Sequence, residues 1–456
     1  MATTTFDPTT TAQQLATAYT QGAQAQISDE SKSAQLTATA LTKLQSVLTT
    51  FDTTLTSLSS SSSSGLRQFS TTLSAPDVGS ASASSGAQPG TYQFYVQQLA
   101  TANQITFQNL PAVPVALGGP LTVQLADGSA INVNLVAADT NSDGAISQAE
   151  IARAINQADG NAGKVTASVV TVGGQSQLLL TSGKTGADGA ITLDTSGLPA
   201  GALKDSLDSG QQLVAAQDAI AWLGGQGGVK LQQSSNTFTA IDGLSVTFSR
   251  AQSATESPVT VTVAADDSGT AGNVQKFVDA YNTLKSALDD LTKLGDASNG
   301  TASAALASDS GVTALRARLN QLMRQSFGGV SLVNLGVSAN RDGTLSLDQT
   351  VLTRKLAANP QALDQVFGSA GLVNNTGMLG SLNQYLQGWT NVTSGQITTR
   401  QNTVQAMQKR LTARQTELTN RYNSMYQTYL KQFTQLQALQ QQMSQTSSMF
   451  SASTSS

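Results

Sequence analysis

Leu41-Thr-Lys-Leu44-Gln-Ser-Val-Leu48-Thr-Thr-Phe51-Asp-Thr-Thr-Leu55-Thr-Ser-Leu58 decides how the rest of this chain is read. Its large apolar residues step by 3, 4, 3, 4 and 3. That is the a/d spacing of a helical seam about two and a half heptads long. The flanks are Thr, Ser and Gln rather than the Glu and Lys of a self-sufficient coiled coil, so this helix is made for burial among other helices. The run Ser59–Ser64, followed by Gly65, breaks or relaxes it.

The far end of the chain repeats the idea. Ile397, Val404, Leu411, Leu418 and Met425 recur every seven residues. After a four-residue step, Tyr429, Leu436, Met443 and Phe450 do so again, and such a step is a stutter that locally unwinds a supercoil. From about Ser394 to Met443 the pattern predicts one helix, roughly 75 Å long at 1.5 Å per residue. Arg400, Lys409, Arg410, Arg414, Arg421 and Lys431 make it basic against Glu417 alone, which reads most simply as a solvated face. The prolines fall at 8, 76, 89, 111, 114, 120, 199, 258 and 360, leaving both ends long and proline-free around a punctuated centre.

That centre reads as β. Thr91–Leu99 alternates, and Leu121–Leu125 and Ile131–Val136 alternate around the hairpin signal Asp127-Gly128. Val165–Val172 and Gln177–Leu180 flank Gly173-Gly174, and Phe238–Ala240, Leu244–Phe248 and Val259–Val263 continue the pattern. From Thr270 the period becomes helical through Val274, Phe277, Val278, Tyr281, Leu284, Leu288 and Leu291 to near Gly295. A second helix is expected over about 302–325, and Asn340-Arg-Asp-Gly-Thr344 is a tight turn before Leu345-Ser-Leu347. The fold class is therefore α+β and multidomain, with a helical coiled-coil stalk formed by both termini and a β-rich head over about 75–266 inserted between its halves.

Composition excludes much chemistry. The chain of 456 residues has no His and no Cys, 11% charged residues and a net charge of −4. Disulfides, Cys/His zinc sites, haem, iron–sulfur clusters and His-dependent nucleophilic catalysis are impossible. The acidic balance argues against nucleic acid as a partner, and no apolar run is long enough for a membrane span. Met1-Ala-Thr-Thr-Thr-Phe-Asp-Pro8 has no basic n-region or apolar h-region, so a cleaved secretory signal is not expected. Gly183-Lys-Thr185 lacks the first glycine of a phosphate loop, since Leu178 stands there. Trp222 and Trp389 read as packing anchors. The acid pairs Asp266-Asp267 and Asp289-Asp290 offer no persuasive catalytic dyad, so no enzyme is expected.

One motif is specific. Asp139-Thr-Asn-Ser-Asp-Gly-Ala-Ile-Ser-Gln-Ala-Glu150 fits the twelve-residue calcium loop at every defined position. Asp139, Asn141 and Asp143 would offer side-chain oxygens, Ala145 its carbonyl, Ser147 a direct or water-borne contact, and Glu150 two oxygens, around the turn at Gly144. The competing reading is local: Ser147-Gln-Ala-Glu150 is also a capping box, the preceding element looks like a strand, and no second loop pairs with this one. Asp188-Gly-Ala-Ile-Thr192 and Asp342-Gly343 echo the loop's middle without its ends. No cofactor is required; Ca²⁺ is the candidate.

Four stretches together resemble a known family. They are Pro89-Gly-Thr-Tyr-Gln-Phe-Tyr-Val-Gln-Gln-Leu-Ala-Thr-Ala102, Phe277-Val-Asp-Ala-Tyr-Asn-Thr-Leu284, and Leu335–Asp348 with Leu356–Phe367. The fourth runs from Arg410-Leu-Thr-Ala-Arg through Arg421-Tyr to Gln432-Phe433. In this order they resemble the bacterial flagellar filament cap family, also called hook-associated protein 2. Where that family often opens with a Gly-rich segment before an Asp, this chain has Phe6-Asp-Pro8, and the loop at 139–150 is no established feature of it. The resemblance implies two β-rich head domains and this division: 1–45 with 425–456 as terminal coiled-coil legs, 46–74 with 268–424 as the helical stalk, 75–110 with 224–267 as the inner head, and 111–223 as the outer head.

It further implies a homo-oligomeric plate at the tip of the flagellum, outside the cell, that retains exported flagellin and lets it fold into place. The legs would reach into the filament end through a candidate assembly seam of Leu41, Leu44, Leu48, Phe51, Leu55, Leu58, Leu411, Leu418, Met425, Tyr429, Leu436, Met443 and Phe450. The implied partners are further copies of the chain, flagellin, other hook-associated proteins, and a flagellar export chaperone on the C-terminal helix. Export by the flagellar secretion apparatus without a cleaved signal suits a chain with no Cys. The alternative is a surface adhesin or sugar-binding head on a coiled-coil stalk.

Overall fold

Asp7 opens the first helix. Its carboxylate accepts the N–H of Thr9 at 3.1 Å and of Thr10 at 3.2 Å, and Pro8 occupies the first helical position, where a missing N–H costs nothing. The structure, a computed structural model, describes residues 7–59, 65–369 and 375–453, so most of the serine run, from 60 on, lies outside the described residues. The helices are α1 (Pro8–Ser59), α2 (Gln148–Gln157), α3 (Ala202–Asp208), α4 (Asp267–Thr292), α5 (Ser310–Arg324), α6 (Gln349–Ala358), α7 (Ala362–Phe367), α8 (Gly377–Thr390) and α9 (Gln396–Ser453). Two compact units result: Met1–Ser60 with Ala271–Ser456, and Ser61–Thr270.

The first unit is helical and is built from both ends of the chain. Phe51 of α1 meets Phe277 and Tyr281 of α4 at ring-centroid distances of 6.3 and 6.5 Å, and Phe277 stands edge-on to Phe367 of α7 at 5.2 Å. Met378, Leu379, Leu382 and Leu386 of α8 are sealed from solvent in the same unit. α5 starts at Ser310 rather than near 302, because the Asp309 carboxylate caps it by accepting the Val312 N–H at 3.0 Å. The short hairpin Val337–Ala339 with Leu345–Leu347 turns at Gly343, whose φ of +82° suits glycine.

Two carboxylates in this unit respond to acid in opposite directions. Asp309 accepts Arg400 Nε at 2.8 Å and Nη2 at 3.0 Å, and that guanidinium chiefly holds its carboxyl below the ordinary range. Its stabilising contribution is present above the ordinary carboxylate pKa and is lost as pH falls through the lowered one. Burial pushes Asp52 up, partly offset by the amide of Asn383 donating at 2.8 Å. Its contribution is fullest below the ordinary pKa and is lost as pH rises through the raised one. Asp309→Asn should therefore lower the melting temperature near pH 7, at a cost of roughly 1.5–3 kcal/mol. That loss should shrink below about pH 4, near the carboxylate range. Asp52→Asn should raise the melting temperature near neutrality, with a gain that shrinks in acid. Thermal melts of both variants at the two pH values check the signs.

The second unit is β-rich and holds two separate cores. One five-stranded antiparallel sheet runs Phe69–Leu73, Val259–Ala265, Gly90–Gln98, Ala219–Leu223, Val229–Gln233, and a three-stranded sheet runs Thr237–Ile241, Leu244–Phe248, Gly79–Ala83. Between them lie Phe94, Val96, Ala219, Ala221, Phe238, Val246, Phe248 and Val261. The other core, with Phe107, Leu121, Val123, Ile131, Ile146, Ile151, Leu178 and Leu180, is enclosed by the sheets Gln211–Val214, Ala102–Phe107, Gln175–Thr185, Val165–Val172 and Ile191–Asp194, Pro120–Leu125, Ala130–Asn134, with α2 and α3.

Three boundaries differ from the sequence expectation. Phe69–Leu73, assigned to the helical 46–74, is a strand paired with Leu73 opposite Val261, a pairing its Ser/Thr-rich sequence hardly signals. Ala219 and Ala221, assigned to the outer 111–223, belong to the first core, and Phe107 and Leu110, assigned to 75–110, belong to the second. The chain passes from one core to the other at the antiparallel bridge of Thr101 with Gln217, which no local pattern marks.

Candidate functional site

The seam of α1 is sealed where the notable leucines stand. Leu41, Leu44, Leu48 and Leu55 are wholly buried, with Phe51 and Leu58 nearly so. The burial continues toward the N-terminus through Ala12, Ala16, Thr20, Ile27 and Ala34. Thr20, Ile27, Ala34, Leu41, Leu48 and Leu55 recur every seven residues, so one stripe runs most of the helix. Its small members gave no apolar signal; the signal that finds them is heptad recurrence counted back from Leu41.

α9 lies antiparallel along α1. Gln45 meets Gln401 at 3.0 Å, Gln35 meets Gln408 at 3.3 Å and Gln24 exchanges two amide bonds with Gln415 at 2.8 and 3.0 Å. Glu30 takes Arg414 at 2.7 Å, and Arg421 donates to the Tyr19 hydroxyl at 2.8 Å while its guanidinium sits 5.2 Å from the Tyr19 ring centre. Arg400 pairs with Asp309 and lies over Trp389, 5.2 Å from its ring centre. Half of the basic run is thus engaged, while Lys409, Arg410 and Lys431 are exposed. The contact is polar and loose: a groove of about 480 Å³ opens between Thr17, Gln21, Gln24, Leu418 and Tyr422.

Continued from the Gln24–Gln415 and Tyr19–Arg421 pairs, this register puts Pro8, where α1 begins, opposite about residue 432. The candidate seam residues of α9 divide accordingly. Leu411 is buried, and Leu418, Met425 and Tyr429 are half-buried. Leu436 is 42% exposed, Met443 65% and Phe450 71%, with Leu439 and Met449 exposed beside them. Leu411 and Leu418 lie in the stretch of α9 whose side chains bond to α1, and Leu436, Met443 and Phe450 lie beyond it.

The loop 139–150 lies at the surface over the second core of the β-rich unit, with Thr140–Gly144 exposed and Ile146 and Glu150 buried. Ser147 caps α2 and Glu150 returns to its backbone, Oε2 accepting the Ser147 N–H at 2.9 Å and its hydroxyl at 2.8 Å; the capping box is fully formed. Glu150 Oε1 accepts the Thr140 N–H at 3.2 Å. Glu150 is 3% exposed, and its Ser147 contacts lower its pKa. Asp139 Oδ2 accepts the Gly144 N–H at 3.0 Å, Asn141 Oδ1 the Asp143 N–H at 2.9 Å and Asp143 Oδ1 the Ala145 N–H at 2.8 Å. Among the described residues no three acidic side chains stand together as a metal-holding group.

The remaining sequence candidates are structural. Trp389 is buried, and Trp222 Nε1 donates to Gln97 at 2.8 Å. Asp266 accepts the Gly269 N–H at 2.8 Å near the start of α4, and Asp289 is held by Lys285 and Arg316. Lys184 pairs with Asp127 rather than facing a phosphate loop. No described helix is long and apolar enough to cross a membrane.

Family models describing the N-terminus and the C-terminus of flagellar hook-associated protein 2 match residues 4–103 and 216–445. The lateral flagellar hook-associated protein 2 of Vibrio parahaemolyticus is 34% identical over 387 residues, 84% of this chain and 85% of its own length. The chain belongs to the flagellar hook-associated protein 2 family. The B-type member of Pseudomonas aeruginosa is 29% identical over 89% of this chain and 86% of its own. Among solved structures, the D1-D2-D3 domains of the flagellar cap protein FliD from Escherichia coli superpose with a TM-score of 0.62 at 27% identity, covering 80% of this chain and 99% of that one. None of these supports the adhesin reading. The two family models meet the chain at 103 and 216, beside the Thr101–Gln217 bridge, so the second core and its acidic loop lie between them.

Proposed function

We propose that this hook-associated protein 2 chain is the subunit of a homo-oligomeric cap at the outer end of the flagellar filament, where it retains exported flagellin until each molecule folds into place. The observation that carries the reading is the outer part of α9, a polar helix on which the large apolar side chains Leu436, Leu439, Met443, Met449 and Phe450 are exposed. Such a face is a helix-in-groove ligand, and the partner of fitting chemistry is another amphipathic helix, as at the end of a helical filament. The inner part of α9 supports a leg that can let go: its polar contacts to α1 are neutral Gln pairs and the half-exposed Arg414–Glu30 ion pair, each worth about 1 kcal/mol or less.

Other hook-associated proteins are the neighbours at the base of the same filament, and the exposed α9 face suits an export chaperone before assembly. A chain without cysteine passes an export channel without disulfide obstruction. We assign it no catalysis, since Asp266 is spent on the turn into α4 and Asp289 on ion pairs with Lys285 and Arg316. The test is removal of the protein from its own cells. Flagellin should shift from the cell surface to the culture medium and return on re-expression. Filaments of unchanged length and number without the protein would refute the proposal.

A further inference from the structure

We propose that Asp139–Glu150 in the second core is a calcium-binding loop that stiffens the β-rich unit. The inference goes beyond the capping role and stands independently of it. Its first support is the twelve-residue pattern, complete at every defined position.

The second is an orphaned atom. Asp139 Oδ1 is closed off from solvent and has no hydrogen-bond partner, while its sister Oδ2 is committed to the Gly144 N–H inside the loop. A carboxylate oxygen can only accept, so it calls for a donor or a cation, and leaving it bare is destabilising. In loops of this kind the first residue supplies an oxygen to the ion. Asp139 as a residue is half-buried, whereas Glu150, at the twelfth position, is buried and faces back into the loop, as its bond to Thr140 records.

A lone loop of this type lacks the neighbour that usually steadies it, and here another element takes that place. Val113–Pro114 pairs antiparallel with Ala145–Ile146, Val113 opposite Ile146, and the Val115 N–H donates to the Gly144 carbonyl at 3.1 Å. Ile146 is fully buried, so the middle of the loop is anchored in the core. Gly144 holds φ at +80°, as the sharp turn requires.

Asp143 and Glu150 are meanwhile engaged with the Ala145 and Ser147 N–H groups, so binding must turn both toward the ion. That exchange places the affinity in the weak range, ~10⁻⁴–10⁻³ M, of extracellular modules. It also favours Ca²⁺, which tolerates six to eight irregular oxygen ligands, over Mg²⁺, which demands a strict octahedron.

The test uses the full chain after chelator treatment, with CaCl₂ alone as probe. Titration calorimetry should give saturable binding, and 10 mM CaCl₂ should raise the melting midpoint of the β-rich unit by roughly 4–7 °C, with MgCl₂ giving far less. Glu150→Gln still caps Ser147 but loses the charge, and Asp139→Asn keeps an acceptor for Gly144. Whatever their own midpoints without calcium, both should lose the rise with it. If Glu150→Gln fails to fold, Asp139→Asn carries the test. No saturable calcium response in the parent, or a full response in every folded variant, overturns the proposal and leaves 139–150 as a turn and a capping box.

Discussion

Phe51→Asp and Leu48→Asp are each expected to remove the cooperative unfolding of the helical unit, while Lys43→Ala leaves its stability within about 0.5 kcal/mol of the parent. Phe51 is 1% exposed and packs on Phe277 and Tyr281; Leu48 is fully buried one turn away, and Lys43 is exposed on the same helix. Losing a buried Phe or Leu side chain alone costs about 2–5 kcal/mol. An unpaired carboxylate in its place adds several more, or forces the site open. Against a total stability of about 5–15 kcal/mol the sum is decisive. The cores of the β-rich unit contain neither residue, so its own transition should survive in the same scan. Calorimetry of the three variants checks this; three similar traces would mean the seam is misassigned.

Removing residues 430–456 is expected to separate folding from function. The bonds from α9 to α1 at Gln401, Gln408, Arg414, Gln415 and Arg421 lie inside the retained part, whereas Leu436, Met443 and Phe450 lie beyond it and are exposed. The melting profile should therefore hardly change. Capping should fail, because the apolar stripe that would enter the filament end is gone, and flagellin should appear in the medium at the level of cells without the protein. Removing 1–40 should also abolish capping but less cleanly, since it strips Tyr19, Glu30 and Gln35 from α9. Normal filament growth with the C-terminal truncation would contradict the assignment of α9.

How much of this was legible in the sequence depended on residue size. Leucine and phenylalanine betray a seam wherever they recur, so Leu41–Leu58 and the amphipathic α4 could be read directly. Ala12, Ala16, Thr20 and Ala34 are buried on the same stripe but carry little hydrophobic signal, and the strand Phe69–Leu73 is mostly Ser and Thr. Strand pairing between residues far apart, such as Thr101 with Gln217, is decided by tertiary contact and leaves no local mark. α5 begins late because a capping aspartate outweighed a run of alanines with good helix propensity. At 139–150 the sequence allowed a capping box and a calcium loop together; the structure forms the first and leaves the Asp139 oxygen that the second would use.

The central claim, that this chain sits at the outer end of a filament and is held there by its terminal helices, is tested most directly by gold-labelled antibody on filaments sheared from cells. The account predicts label at one end of each filament, the end distal to the hook. It predicts no label when the only copy present lacks 430–456, even though that protein is folded and exported. Label spread along the filament shaft, or at the distal end with the truncated chain, would contradict it.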